Sequence, residues 1–189
     1  MPFIYIQDID DSILIFIQEN LRSPILDLIM KPVTYLGSGG VLWIIISLIF
    51  IISKKYRYNG LMLAGALILC LIIGNLTLKL LVARLRPSDV NTTIELLIKR
   101  PTDFSFPSGH SLSSFSSATV IFYTDKRYGA AAAIIAAMIA FSRLYLYVHY
   151  PSDVFAGIVI GISIGLVTIY IALKIKPKLN KFKKLSKLL

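Results

Sequence analysis

Apolar residues gather in five stretches, near residues 39–53, 60–83, 108–124, 129–147 and 152–173. Each approaches the ~20 residues that a helix needs to cross a hydrocarbon core. No alternating ten-residue pattern recurs, so a lipid-facing β-barrel is excluded, and the backbone must satisfy its own polar groups as helix. The fold class that follows is all-α, a polytopic transmembrane helical bundle with five clear spans. A hydrophobic content of 56% over 189 residues, with mean hydropathy +0.75, excludes a water-soluble globule of this size. The first stretch is short and the third is rich in serine.

Residues 1–37 are different. Ile13, Leu14, Ile17 and Leu21 recur at helical spacing, but Asp10, Asp11, Glu19, Arg22, Asp27 and Lys31 interrupt the run. The pattern predicts an amphipathic helical pair lying in the outer interface, and leaves open a sixth span. The chain divides accordingly into this N-terminal region (1–37), a transmembrane core (38–175) and a basic tail (176–189). The first residues carry neither a basic leader nor a small-residue cleavage site, so insertion is expected to rely on the spans themselves.

Charge placement orients the spans. Lys54, Lys55 and Arg57 follow the first, Lys126 and Arg127 follow the third, and a lysine-rich tail follows the fifth, which predicts a cytoplasmic side for all three connections. Segment 84–107 and the turn around His149 then face the other side of what is expected to be the plasma membrane. The net charge of +10 does not point to nucleic acid, because the basic residues sit at span ends; seven lysines (174, 176, 178, 181, 183, 184 and 187) crowd the last 16 residues and suit anionic headgroups. The single cysteine, Cys70, permits neither an intramolecular disulfide nor a thiolate cluster. Gly157, Gly161 and Gly165 let another helix of the bundle approach the last span closely.

Three polar clusters collect at the outer surface. In Lys79-Leu-Leu-Val-Ala-Arg84-Leu-Arg86-Pro87, seven residues make almost two helical turns, so Lys79 and Arg86 are expected on one face, with Arg84 pointing elsewhere and snorkelling to the interface. In Phe106-Pro107-Ser108-Gly109-His110, proline and serine mark a helix start whose free N–H groups form an anion site. Gly109 allows close approach there, and His110 can supply a proton. In the third cluster, Ser142-Arg143 precedes His149-Tyr150-Pro151-Ser152-Asp153, and a carboxylate in the first turn after Pro151 can reach back to the His149 ring. Both histidines of the chain thus lie beside cations. Three cations, a helix N-terminus and two imidazoles make an inventory for phosphoryl transfer. Asp153 stands out as the acidic residue near them, and with no carboxylate cluster or histidine pair at ligand spacing, neither metal nor other cofactor is expected.

These residues, in this order and over about 75 positions, closely resemble the signature of the type 2 phosphatidic acid phosphatase family. The resemblance implies that Lys79, Arg86 and Arg143 hold a phosphate with Ser108 and the Gly109 backbone, that His149 attacks phosphorus, that Asp153 steadies its imidazole, and that His110 protonates the leaving oxygen. Water then frees phosphate from phosphohistidine without a metal. The family's membrane members usually have six spans. The small size and compact outer loop look like bacterial enzymes that convert undecaprenyl diphosphate to undecaprenyl phosphate; related members act on phosphatidylglycerophosphate, phosphatidic acid or lipid A. A lipid phosphotransferase, a vanadium haloperoxidase and, from polar Asn75 and Lys79 within spans, a transporter are the competing readings.

Overall fold

The computed structural model describes residues 2–185, and the side chains of residues 5–175. Among these residues the secondary structure is helical, without strands. The lysine side chains beyond 175 lie outside the described residues.

The N-terminal region is a helical pair, α1 (Pro2–Asn20) and α2 (Pro24–Leu36). Pro24 suits the first helical position of α2, and the Ser23 hydroxyl accepts from Leu26 N at 3.4 Å, so the chain restarts there after a short turn. Asp10, Leu14 and Ile17, at i, i+4 and i+7, form the buried stripe of α1. That stripe packs against the turn between the last two helices, with Leu14 beside Tyr147 and Tyr150, and Ile17 beside Tyr145 and Val148.

A single 3-10 turn, Ser38–Gly40, joins α2 to α3 (Val41–Ile52). Gly39 and Gly40 adopt φ of +59° and +69°, a left-handed backbone that glycine enters freely, and the two helices meet at 47°. Twelve residues of α3 rise only about 18 Å, so the predicted span at 39–53 reaches a bilayer's thickness only together with α2. The region that left a sixth span open and the short first stretch thus have the length and apolarity to cross only when taken together as one bent pair.

Helix α4 (Arg57–Cys70) continues through a π-helical stretch, Leu71–Leu78, into α5 (Lys79–Val82). Ala83 then turns left-handed at φ +48°, and Arg84 to Arg86 run on to α6 (Pro87–Val90). The remaining helices are α7 (Gly109–Thr124), α8 (Lys126–Tyr145) and α9 (Pro151–Leu185). The Asp125 side chain caps α8 by accepting from Arg127 N and Tyr128 N at 2.8 and 3.2 Å.

By length and apolar composition, Arg57–Val90, Lys126–Tyr145 and Pro151–Ile175 can each cross a membrane, and the bent α2–α3 pair adds a fourth. The serine-rich α7 has 16 residues, about 24 Å. It sits at the centre, packed by α4, α8 and α9, so Ser111, Ser114, Ser116 and Ser117 are buried against protein, not lipid. Trp43 reaches across from α3 to donate to Ser114 Oγ at 3.0 Å, and Leu63, Ala66, Leu112, Ala136 and Ile139 fill the core around it. The glycine row of α9 serves the predicted internal packing: a Cβ at Gly161 would stand 2.5 Å from Leu112 O, and one at Gly157 2.7 Å from Ser108 O. This close approach holds the start of α7 against the start of α9, and with them the second and third clusters.

Candidate active site

The three clusters meet at one end of the bundle. Lys79, Arg86, Gly109, His110, Arg143 and His149 all line one cavity of about 780 Å³. Lys79 and Arg86 arrive there by a different route from the one expected. The helix ends at Val82, the left-handed Ala83 redirects the chain, and Arg86 stands just ahead of α6 in extended conformation. The two cations converge because both bind Asp103, not because they share a helix face: Lys79 Nζ pairs with Asp103 Oδ2, and Arg86 NH2 donates to Oδ1 at 2.6 Å.

Arg86, 2% exposed, is fixed by a fan of acceptors. Its Nε donates to Asp103 O (2.7 Å), NH1 to Val148 O (2.6 Å), and NH1 also faces His149 Nε2 at 3.0 Å. On the other edge of that imidazole, Nδ1 lies 3.4 Å from Ser105 Oγ and 3.7 Å from Asp153 Oδ2, while Ser105 Oγ donates to the same carboxylate oxygen at 2.5 Å. Ser105 therefore stands between nucleophile candidate and orienting carboxylate. Asp153 is held in turn by Tyr150 N at 2.9 Å and Arg84 NH1 at 2.8 Å.

Arg143 ends α8, buried at 4% exposure. Its NH1 donates to Thr34 Oγ1 of α2 at 2.5 Å, whereas its buried Nε has no acceptor among the described residues. A buried guanidinium edge left open in this way is costly unless an anion completes it. His110 opens α7 and lies 3.5 Å through Nε2 from Ser38 Oγ in the α2–α3 turn. Gly37 is packed onto it so closely that a Cβ would stand 2.7 Å from His110 Cδ2. Ser108 is placed differently: its hydroxyl accepts from Ser111 N and Ser111 Oγ at 3.4 and 3.0 Å, so it caps α7 and does not line the cavity.

Two expectations are corrected. Arg84 does not snorkel; it stacks on the Tyr150 ring at 3.9 Å and bridges Asp10 and Asp153 at 2.7 and 2.8 Å. A phenol face and two carboxylates hold it more firmly than the interface could. Nor is Asp153 alone, since Asp103 and Asp10 both reach the cationic cluster from distant parts of the chain. Asp10, Thr34, Ser38, Asp103 and Ser105 went unnoticed in the sequence. Only Asp10 left a trace there, as an acid on an apolar stripe.

The electrostatic consequences are direct. Burial, reinforced by the positive charges of Arg86, Arg143 and Lys79, holds the His149 imidazole well below the ordinary histidine value of 6.5. Burial acts to raise the Asp103 carboxyl, but Lys79 and Arg86 outweigh it and hold it at about 2. No group of three or more His, Cys, Asp or Glu among the described residues is arranged to hold a metal ion.

Away from the charged end, the cavity continues between α3 and α4 along Ile44, Leu48, Ile51, Leu67, Ile68 and Leu71. One space thus joins an anion-binding end to an apolar groove.

The model of the PAP2 superfamily matches residues 59–177, which include all three clusters. An undecaprenyl-diphosphatase of Sulfolobus acidocaldarius is 32% identical over 130 residues, 68% of this chain and 63% of that protein. The lipid A 4'-phosphatase of Bacteroides thetaiotaomicron is 32% identical over 190 residues, covering 93% of this chain and 82% of the relative. The crystal structure of a transmembrane PAP2-type phosphatidylglycerolphosphate phosphatase from Bacillus subtilis superposes with a TM-score of 0.75 at 25% identity, covering 90% of this chain and 88% of that one. Family match, sequence relatives and helical architecture therefore agree, and the chain belongs to the PAP2 superfamily.

Proposed function

We propose that the chain is an integral membrane lipid phosphatase that converts undecaprenyl diphosphate to undecaprenyl phosphate through phosphohistidine on His149, without a metal. The observation that carries this reading is the single cavity with cations and both histidines at one end and an apolar groove at the other. A phosphate at the charged end is held by Lys79, Arg86 and Arg143, whose open Nε–H donates to one of its oxygens, and by the first N–H groups of α7 at Gly109.

The proton inventory follows from donor chemistry. Arginine only donates, so the 3.0 Å contact from Arg86 NH1 requires His149 Nε2 to be an acceptor, with the ring proton on Nδ1 toward Ser105 and Asp153. Nε2 then carries the lone pair that attacks phosphorus. The Nε2–P bond forms as the bridging P–O bond breaks, and His110, protonated once the negative charge of the substrate offsets the neighbouring cations, gives its proton to the departing lipid phosphate oxygen. Water next attacks phosphorus and gives a proton to the now-neutral His110, the N–P bond breaks to return neutral His149, and inorganic phosphate leaves. Ser108 contributes by shaping the start of α7. The lysines and arginines at 54–57 and 126–127, at the opposite end of the helices, argue for a site on the extracytoplasmic face of the plasma membrane.

The apolar groove favours a lipid over a soluble phosphate ester, and the relatives' names supply a choice among phosphatidylglycerophosphate, lipid A and prenyl diphosphates. The test is purified protein in detergent, with chelator, presented with undecaprenyl diphosphate, phosphatidylglycerophosphate and phosphatidic acid. Undecaprenyl diphosphate is expected to give the highest kcat/KM and free phosphate without an acceptor. Preference for another lipid overturns the substrate, dependence on an acceptor identifies a phosphotransferase, and loss on chelation overturns the metal-free step. Lipid or ion flux that survives His149→Ala identifies a transporter.

A further inference from the structure

Asp10 lies more than 130 residues from His149 in sequence, yet it is 2% exposed and touches the network behind that imidazole. Its Oδ1 accepts from Ser152 N at 2.8 Å, and its Oδ2 accepts from Ser152 Oγ and from Arg84 NH2, the latter at 2.7 Å. Arg84 uses its other nitrogen, NH1, for Asp153 Oδ1 at 2.8 Å and Ser152 Oγ at 2.7 Å. Gln7 Oε1 takes a further proton of NH2 at 2.7 Å. One guanidinium is thus shared between two buried carboxylates.

We propose that Asp10 is a positioning residue for the phosphoryl-transfer step, which keeps Arg84 from neutralising Asp153 and so preserves a negative field behind His149. This rests on the assignment of His149 as the nucleophile. With Asp10 in place, the formal charge of Asp10, Arg84 and Asp153 together is −1. Without it, Arg84 and Asp153 form an isolated neutral pair. The distinction matters because attack by Nε2 on phosphorus makes the imidazole cationic, in a pocket from which water is largely excluded. The excess negative charge is set behind Nδ1, on the side away from the phosphate, where it stabilises that cation without repelling the substrate. The geometry also explains an otherwise costly arrangement: an acid on the apolar stripe of α1, in line with Leu14 and Ile17, is buried where Ser152 and Arg84 satisfy both of its oxygens. The N-terminal helix is thereby a working part of the catalytic apparatus.

Asp10→Asn is the informative variant, since the amide oxygen can still accept from Ser152 N while the charge is removed. Purified Asp10→Asn, His149→Ala and unmodified protein are compared in detergent on a polyprenyl diphosphate, with thermal unfolding measured in parallel. We expect Asp10→Asn to lower kcat by about ten-fold or more, with KM within about two-fold. Single-turnover formation of phosphohistidine should slow to match. An Asp10→Asn enzyme with unchanged kcat per folded molecule overturns the proposal, as does a loss confined to KM. Turnover by His149→Ala instead overturns the nucleophile on which it rests. If Asp10→Asn does not accumulate as folded protein, Asp10→Asn/Arg84→Gln, which has the same net charge of −1 as the native trio, is compared with the unmodified protein. A kcat within about three-fold is expected, because Asp153 keeps its charge unneutralised, and a loss of about ten-fold or more overturns the proposal.

Discussion

Arg86 NH1 and His149 Nε2 lie 3.0 Å apart, and that contact fixes Nε2 as the imidazole nitrogen that carries the lone pair. The same NH1 reaches Val148 O, so the guanidinium is tied to the backbone of the residue preceding the histidine. A lysine cannot reproduce this, because one ammonium on a flexible stem cannot hold Asp103, Val148 and the imidazole together. Arg86→Lys is therefore expected to lower kcat by about 100-fold or more. Steady-state release of phosphate from a polyprenyl diphosphate measures it, and a variant within a few-fold of the native enzyme refutes the role.

The pH dependence follows from the displaced imidazole. Burial and three cations hold His149 below 6.5 in the free enzyme, so the neutral form persists to lower pH than for a solvated histidine. The acid limb of kcat/KM, which reports the free enzyme, should fall below pH 6.5. The same shift makes a stability statement. A depressed folded-state value means that stability is fully present above 6.5 and is lost as pH falls below it, because the unfolded state then binds the proton first. An acid limb above 6.5 contradicts the assignment.

Asp103 occupies Lys79 and Arg86, the two cations proposed above to hold a substrate phosphate. It is 53% exposed, so it can swing outward as a phosphate arrives, and its negative charge competes with the substrate until it does. Asp103→Asn should tighten inhibition by inorganic phosphate and lower KM, by several-fold in each case. Its effect on stability has a defined window: the carboxyl moves from 3.8 to about 2 on folding, so its contribution is present above 3.8 and is lost as pH falls toward 2. Phosphate titration of the two proteins checks the first point, and weaker inhibition of the variant contradicts it.

Gly37 is predicted to tolerate no side chain. Its own φ is ordinary at −86°, but a Cβ would meet Ile139 Cγ2 at 2.6 Å and His110 Cδ2 at 2.7 Å. Gly37→Ala should destabilise the protein by about 1–3 kcal/mol through overpacking. It should also lower kcat by displacing His110 from the leaving group. Thermal unfolding and turnover on the same preparation separate the two effects.

The sequence made the chemistry legible and the scaffolding less so. Lys79, Arg86, His110, Arg143 and His149 could be found because cations and imidazoles at the ends of apolar runs are conspicuous. Their supports could not. Ser105 and Asp103 sit in an irregular loop with no periodicity to place them, and Thr34 and Ser38 look like ordinary residues of a short amphipathic helix and its turn. Arg84 was misjudged because spacing along an ideal helix was assumed where the backbone turns left-handed at Ala83. Span bounds were read well in α8 and over α4 to α5, where lipid exposure enforces apolarity, whereas α9 runs on past the expected end at 173 to Leu185. The bounds of α3 and α7 were also close, but their surroundings were not legible: a bend at two glycines lets α3 borrow length from α2, and enclosure by protein frees α7 to carry serines.

The bend at Gly37–Gly40 has one more outcome. The turn that contacts His110 also leads into α3, whose Ile44 and Leu48 wall the apolar groove, so proton delivery and tail accommodation share a pivot. A lipid whose hydrocarbon fails to fill that groove leaves the pivot slack and the acid misaimed. Discrimination among tails should then register in the speed of bond cleavage more than in how tightly each lipid is held.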